Sequence, residues 1–267
     1  FAGSVSCVSE TGVAVQSISH RGHQLVCGAN WLGAGILNPE APRAVGVPDL
    51  PWADAGLADG GRLLVTEKTQ GVRIVSPNGE LSDLIQGTPQ AFDDIFQMET
   101  RIDIERGMGW LFDILLHPRY EDNGWVYLYH GHRCEDCNAV SRERERPVSM
   151  NRLVRGRIRD GAWIDEEVIW QANMEDYSLA GDVGAGGRAI FDNRGHIYFT
   201  LGSKGSMAGI QSLAAPWGKT HRINDDGTIP HDNPFAGRHD VYESIYTYGH
   251  RSPQGLEYDA DLSLIHI

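Results

Sequence analysis

The chain reads as an all-β protein, a β-propeller of four-stranded blades. Three observations point there. A polar turn followed by a short run of strand formers recurs along most of the sequence. Glycine is abundant, 32 of 267 residues, as many short strands joined by tight turns require. No heptad repeat and no long amphipathic helical pattern is present. A β-sandwich is the alternative, and the regular recurrence of the unit favours the propeller.

Taken in order, residues 1–45 carry little pattern and form a lead-in of unclear structure. Ser4 to Ser19 alternates loosely through Val5, Val8, Val13, Val15 and Ile18, as an edge strand or a frayed lead-in would. Pro39, Pro42, Pro48 and Pro51 punctuate a linker-like entry. Residues 46–261 form the partial propeller. Its first unit is Asp59-Gly-Gly-Arg-Leu-Leu-Val-Thr-Glu67, followed by Gly71-Val-Arg-Ile-Val75. Glu121-Asp-Asn-Gly-Trp-Val-Tyr-Leu-Tyr129 repeats the turn and strand, and Asp192-Asn-Arg-Gly-His-Ile-Tyr-Phe-Thr-Leu-Gly202 repeats them again. Tyr258-Asp-Ala-Asp-Leu-Ser-Leu264 begins a fourth. Gly61, Gly124 and Gly195 lie 63 and 71 residues apart, a spacing longer than common propeller repeats, so each blade should carry long loops. Between the second and third units, the mixed-charge run Ser141-Arg-Glu-Arg-Glu-Arg146 reads as a solvated loop. At this spacing only three to four blades fit, and a propeller lacking blades leaves a strand edge and a sheet face uncovered. The chain is therefore expected to be a fragment of a propeller, with residues 262–267 as a non-native tail.

Composition excludes several functions. The net charge is −13, so there is no basic excess to neutralise phosphates and no nucleic-acid partner is expected. No run of eighteen apolar residues exists, so no spanning helix is expected. The opening Phe1-Ala-Gly-Ser-Val-Ser-Cys7 has no charged leader region and is either the tail of a signal peptide or an internal start. The cysteines are Cys7, Cys27, Cys134 and Cys137. Cys134-Glu-Asp-Cys137 is half a zinc site without a second half, and His130 and His132 keep a metal among the alternatives. A short-loop disulfide in an oxidising compartment is the favoured expectation.

The least generic text comes late. Trp217-Gly-Lys-Thr-His-Arg-Ile-Asn-Asp-Asp-Gly-Thr-Ile-Pro-His-Asp-Asn-Pro-Phe235 precedes Thr247-Tyr-Gly-His-Arg-Ser-Pro-Gln-Gly-Leu-Glu-Tyr258. Pro253 and Gly255 make the second run a tight turn. Arg251 on it offers a planar five-donor fork suited to carboxylates, and Gln254 offers both a donor and an acceptor. A corner whose side chains only satisfy nearby backbone is the plain alternative. Asp225-Asp226-Gly227 lacks calcium-loop spacing and reads as a hairpin turn. Gly202-Ser-Lys-Gly205 is not a phosphate-binding P-loop, but its backbone can cradle an anion, with Lys204 as a contact.

Gly218 to Phe235 and Tyr246 to Leu256 resemble the soluble PQQ-dependent sugar dehydrogenases, the glucose/sorbosone dehydrogenase family, with weaker similarity back to Gly61. The resemblance covers roughly residues 50 to 260. It implies a six-bladed propeller and oxidation of an aldose at C1 to a lactone. It also implies PQQ and calcium as cofactors, a small sugar and an external electron acceptor as partners, and export to the periplasm or outside. Arg251 matches a PQQ contact of the family, Gln254 lies beside it, and His250 matches with a structural role in the turn. The family's calcium ligands are expected beyond residue 267.

Four departures stand against this. The family's G-x-x-H-x-x-G-R run aligns on Gly187-Arg188 and puts Gly184 where the proton-accepting His belongs. Met108 stands at a PQQ-binding Gln position. Ser203 replaces an Asp, and Ser252 an Asn. Asp182, two residues from the lost His, is the candidate substitute base, with His221 and His196 as alternatives. The plain reading of Asp182 is a loop residue bonding its own backbone. The alternative function is a catalytically inactive propeller that binds a carbohydrate or a protein.

Overall fold

The computed structural model describes residues 51–57, 61–97, 105–182, 184–204 and 207–259, with the strands at 16–20, 23–27, 34–36 and 264–266. Cys7, most of the Ser4–Ser19 stretch and the prolines at 39, 42 and 48 lie outside the described residues. Inside the lead-in, β1 (Gln16–His20), β2 (His23–Cys27) and β3 (Ala34–Ile36) pair as an antiparallel meander.

The remaining sheets also run in chain order with antiparallel neighbours. The first comprises β4 (Pro51–Gly56), β5 (Leu63–Glu67) and β6 (Gly71–Val75), followed by a hairpin of β7 (Ile95–Gln97) and β8 (Glu105–Gly107). Two complete four-stranded blades come next. One is β9 (Leu111–Leu116), β10 (Val126–Cys134), β11 (Val148–Arg159) and β12 (Ala162–Gln171). The other is β13 (Gly186–Phe191), β14 (His196–Leu201), β15 (Lys219–Asn224) and β16 (Ile245–Tyr248). β17 (Glu257–Asp259) and β18 (Leu264–His266) open another sheet. The opening strands neighbour one another, β4 against β9, β9 against β13 and β13 against β17, which is the inner ring of a propeller. Each turn-and-strand unit read from the sequence falls on the first hairpin of one sheet.

Strand period explains the core. On β10, Val126 and Leu128 face one way and join Leu64, Val72, Leu111 and Ile114 in a core against the first sheet. Tyr127 and Tyr129 face the other way and join Phe112, Leu115, Phe199 and Ile223. Both faces are apolar because both are covered. Aromatic edges lock the second core: Tyr129 meets Phe199 at 5.5 Å and Phe199 meets Trp170 at 4.9 Å between ring centroids. A β-bulge interrupts β9: Tyr129 pairs with Asp113 but His130 pairs with Leu111, leaving Phe112 extra. The bulge turns Asp113 onto the face of Leu115, towards β13.

Two expectations change here. Within the Ser141–Arg146 run, residues up to Arg144 are helical, in α1 (Ala139–Arg144), where Asn138 and Ser141 form a capping box and Ser141 is buried; the charged residues do face solvent. Asp225-Asp226-Gly227 is a tight turn closed by Gly227 N–H on the Asn224 carbonyl, at 3.0 Å. It is not a strand-to-strand hairpin, because β16 begins only at Ile245. Leu264–His266 form β18, whose His266 pairs with Glu257.

Candidate functional site

Antiparallel meanders put alternate connections at opposite ends of a blade. The repeated turns, with His196 and Asp192 among them, lie at one end. The other end gathers the β5–β6 turn, the loop before β9, the β12–β13 connection, the β14–β15 loop and the turn after β16. Every sequence-predicted site residue except His196 is at or near this second end.

Asp182 ties the end together. Its side chain is fully buried. Oδ2 accepts the Gly109 and Trp110 backbone N–H groups at 2.6 and 2.8 Å. Oδ1 accepts the Ser149 hydroxyl at 2.9 Å and faces the Lys204 ammonium at 3.5 Å. The Asp182 N–H itself donates to the Gly107 carbonyl at 2.9 Å. One carboxylate thus joins the loop before β9, β11, the β12–β13 connection and the β14–β15 loop. Both oxygens are occupied, so Asp182 is built as an anchor; a base would need a lone pair facing substrate. Lys204 is buried against it, with φ 44°, and its charge is directed at Asp182.

Gly184 has φ +67° and open space where a Cβ would point. Its carbonyl accepts the Lys204 N–H at 3.3 Å, and the neighbouring Ala185 carbonyl accepts the Gly202 N–H at 2.8 Å. The approach demands glycine at 202, where a Cβ would sit 2.1 Å from the Gly184 oxygen. Met108 is fully buried.

The late turn seats on this loop. Ser203 N–H donates to the Arg251 carbonyl at 2.6 Å. The Thr200 hydroxyl donates to the Pro253 carbonyl at 3.1 Å, and Arg188 Nε to that of Gln254 at 3.1 Å. Arg188 also faces Asp113 at 3.6 Å, and burial holds the Asp113 carboxyl above its ordinary range against that guanidinium's pull. The Arg251 side chain is exposed. Gln254 is partly buried, and its amide donates to the Ser252 hydroxyl at 2.8 Å. His250 Nε2 meets the Thr247 hydroxyl at 2.7 Å, within the turn.

Neither alternative base is open to the site: one lies at the far end and the other is sealed in the core. His196 pairs with Asp192 at 2.8 Å at the opposite end of β14, about 17 Å away at ~3.3 Å per strand residue. His221 is fully buried and stacked on Phe199, 4.9 Å between centroids. Its ring nitrogens meet Ser244 Oγ at 2.9 Å and the Pro216 carbonyl at 2.8 Å. Trp170 Nε1 donates to the same Ser244 oxygen at 3.0 Å. The Pro216 carbonyl can only accept, so Nε2 carries the hydrogen, and the neutral ring's Nδ1 accepts the Ser244 hydroxyl hydrogen. This network holds a neutral ring, and burial lowers its pKa to about 3.

Sequence reasoning missed Lys68, which follows the Gly61–Glu67 unit and carries no motif of its own. It sits on the β5–β6 turn, buried, its Nζ 3.5 Å from the Trp110 ring centroid. Burial lowers its pKa to about 8, opposed by the Asp182 charge. Cys134 and Cys137 form a disulfide with Cα atoms 5.9 Å apart. Among the described residues no group of three His, Cys, Asp or Glu side chains could hold a metal, and no helix is long and apolar enough to cross a membrane. A surface groove lined by Trp170, Asn173, Tyr242 and Glu243 takes in none of Asp182, Lys204, Arg251 or Gln254.

Comparison with known proteins agrees with this architecture. The chain is 27% identical over 236 residues to the aldose sugar dehydrogenase YliI of Escherichia coli, covering 87% of this chain and 56% of the relative. It is 26% identical over 196 residues to quinoprotein glucose dehydrogenase B of Acinetobacter calcoaceticus, covering 64% and 38%. A solved glucose dehydrogenase superposes with a TM-score of 0.67 at 26% identity, covering 80% of this chain and 60% of that one. The chain spans about half the length of the curated relatives it matches first. Residues 48–266 match the family model for glucose / sorbosone dehydrogenase, and the chain belongs to that family.

Proposed function

We propose that this chain is part of a quinoprotein that oxidises an aldose at C1 to the lactone, with PQQ held at the loop end of the blades. The carrying observation is convergence. The loops at 107–110 and 181–187, the 202–204 corner and the 249–254 turn meet at one end through Asp182, Ser203 and Thr200. These are the runs that resemble the family's cofactor site, and one relative is a quinoprotein by name.

PQQ, when bound, supplies the two-electron acceptor, and the chain binds, orients and takes up a proton. Two features fit such a group: the exposed Arg251 guanidinium suits a carboxylate, and the space beyond Gly184 leaves room beside the backbone. Gln254 would line the same end. With Asp182 engaged and Gly184 unable to accept a proton, Lys68 is the group assigned to take the sugar hydroxyl proton. Its lowered pKa makes the neutral amine accessible near pH 8. Lys204 acts through Asp182. Calcium belongs to the reading through the family. An external acceptor removes the electrons, and export to the periplasm or outside is supported by the Cys134–Cys137 disulfide.

The test is a PQQ titration of the full-length protein that contains this chain, with calcium present, followed by dye-linked aldose oxidation from pH 6 to 9. Expected are PQQ binding, weakened tenfold or more in Arg251→Ala, and turnover rising through about pH 8. Lys68→Met should abolish turnover while PQQ still binds. No PQQ binding refutes the proposal. The engaged Asp182 favours a second reading, a family member that binds ligand without catalysis. Sugar or PQQ binding with no dye reduction at any pH supports it. Gly184→His, whose side chain would enter open space, would then create turnover.

A further inference from the structure

The C-x-x-C pair is not used by the proposed chemistry, yet it is wired to the site. Cys134 ends β10 and Cys137 precedes Asn138, the capping residue of α1. Both cysteines are partly buried against the core, while Glu135 and Asp136 between them are exposed. Their carboxylates are tied back, Glu135 to Arg133 at 2.8 Å and Asp136 to Arg142 at 3.6 Å. A disulfide with a sequence separation of 3 closes a loop so short that it constrains the unfolded chain little. Its effect must be local, and the local structure is specific.

Asn138 Nδ2 donates to the Met174 and Tyr177 carbonyls, each at 2.9 Å. The Tyr177 hydroxyl meets His132 Nδ1 at 2.9 Å, from the strand that ends in Cys134. One residue on, Ser178 and Ser149 exchange backbone hydrogen bonds at 3.0 and 3.4 Å. The Ser149 hydroxyl then holds Asp182. The disulfide loop is thus the outer clamp on the segment 174–182, whose far end anchors the candidate site.

We infer that Cys134–Cys137 is a reversible thiol–disulfide exchange site for a dithiol reductant, and that its reduction releases the 174–182 segment from its clamp. In the reaction a reductant thiolate attacks one cysteine sulfur, forming a mixed disulfide and expelling the other cysteine as thiolate. The second reductant thiol resolves the mixed disulfide. The pair gains two electrons and two protons, and the reductant leaves as its disulfide. Exposure of the intervening turn and the two-residue spacing suit such exchange. None of this depends on the quinoprotein reading.

The experiment equilibrates the oxidised chain with graded dithiothreitol, blocks thiols with N-ethylmaleimide, and maps the Cys134–Cys137 peptide by mass. Hydrogen exchange is followed in the same samples. The expected result is reduction of this pair while the fold persists, with exchange in 174–182 and at Gly109 and Trp110 faster by tenfold or more. Amides of β14 and β15 should be unchanged. The double variant Cys134→Ser with Cys137→Ser should show the same faster exchange without reductant. Peptide mapping separates this pair from Cys7 and Cys27. Reduction only on global unfolding, or reduction with unaltered exchange in 174–182, overturns the inference.

Discussion

Single residues at the loop end differ in what they disclose to a reader of sequence. Asp182 was found because it stands next to a motif gap, but its role depends on partners at positions 109, 110, 149 and 204, which no local pattern links. Arg251 and His250 were legible because their turn is specific text. Lys68 was not, since a lysine after a strand is ordinary and only burial makes it unusual. The anchor role of Asp182 has a measurable consequence. Removing its carboxylate leaves the Gly109 and Trp110 backbone N–H groups buried without this acceptor and takes away the negative charge facing Lys204. Asp182→Ala should cost about 3–5 kcal/mol, the range for breaking a buried ion pair, read from urea unfolding. A loss under ~0.5 kcal/mol, as for an exposed loop Asp, would show that the carboxylate does not anchor.

Elements were read best where a turn and a strand lie together. The units at Asp59, Glu121, Asp192 and Tyr258 fall on the opening hairpins because short polar turns and strand formers are local signals. The third and fourth strands were less legible, since long loops such as 225–244 separate them from any repeat. α1 was missed because a six-residue helix shows hardly two turns of periodicity, and its capping box is small. The bulge at Phe112 leaves no sequence mark either, because it exists only as pairing with β10. The corner between β14 and β15 is where an element-level prediction can be made. Gly202 lies against the Gly184 carbonyl with no room for a methyl group. Gly202→Ala should lower stability by about 1–3 kcal/mol, the range for overpacking. It should also speed hydrogen exchange at Ser203 and Lys204, whose N–H groups bond Arg251 and Gly184. Unchanged exchange at both amides would show that the corner does not depend on this approach.

At the scale of the whole molecule, histidines held in neutral form set the response to acid: His221 in the core between the two complete blades, and His130 and His132 along β10. Burial lowers His221 and His130 to about 3 and His132 to about 4, with neighbouring charges adding to the shift. In the unfolded chain each would titrate near its ordinary value of about 6.5. Between those limits the unfolded state binds more protons, so stability rises with pH across the window. These groups therefore contribute fully above about pH 6.5 and lose that contribution as pH falls towards 4 and 3. The slope is about 1.4 kcal/mol per pH unit for each histidine fully protonated in the unfolded state alone. Asp113 and Asp176, held above their ordinary range by burial, act in the opposite sense but are two groups against three. Melting measured from pH 7.5 to 4 should fall steeply below pH 6, and His221→Gln, which cannot titrate, should flatten the slope by up to one histidine's share. Gln keeps a donor and an acceptor for Pro216 and Ser244, so its neutral-pH cost is separate from its effect on the slope. An identical slope in the variant would mean that His221 is already an imidazolium in the folded core, its Nδ1–H donating to Ser244 Oγ and its Nε2–H to the Pro216 carbonyl.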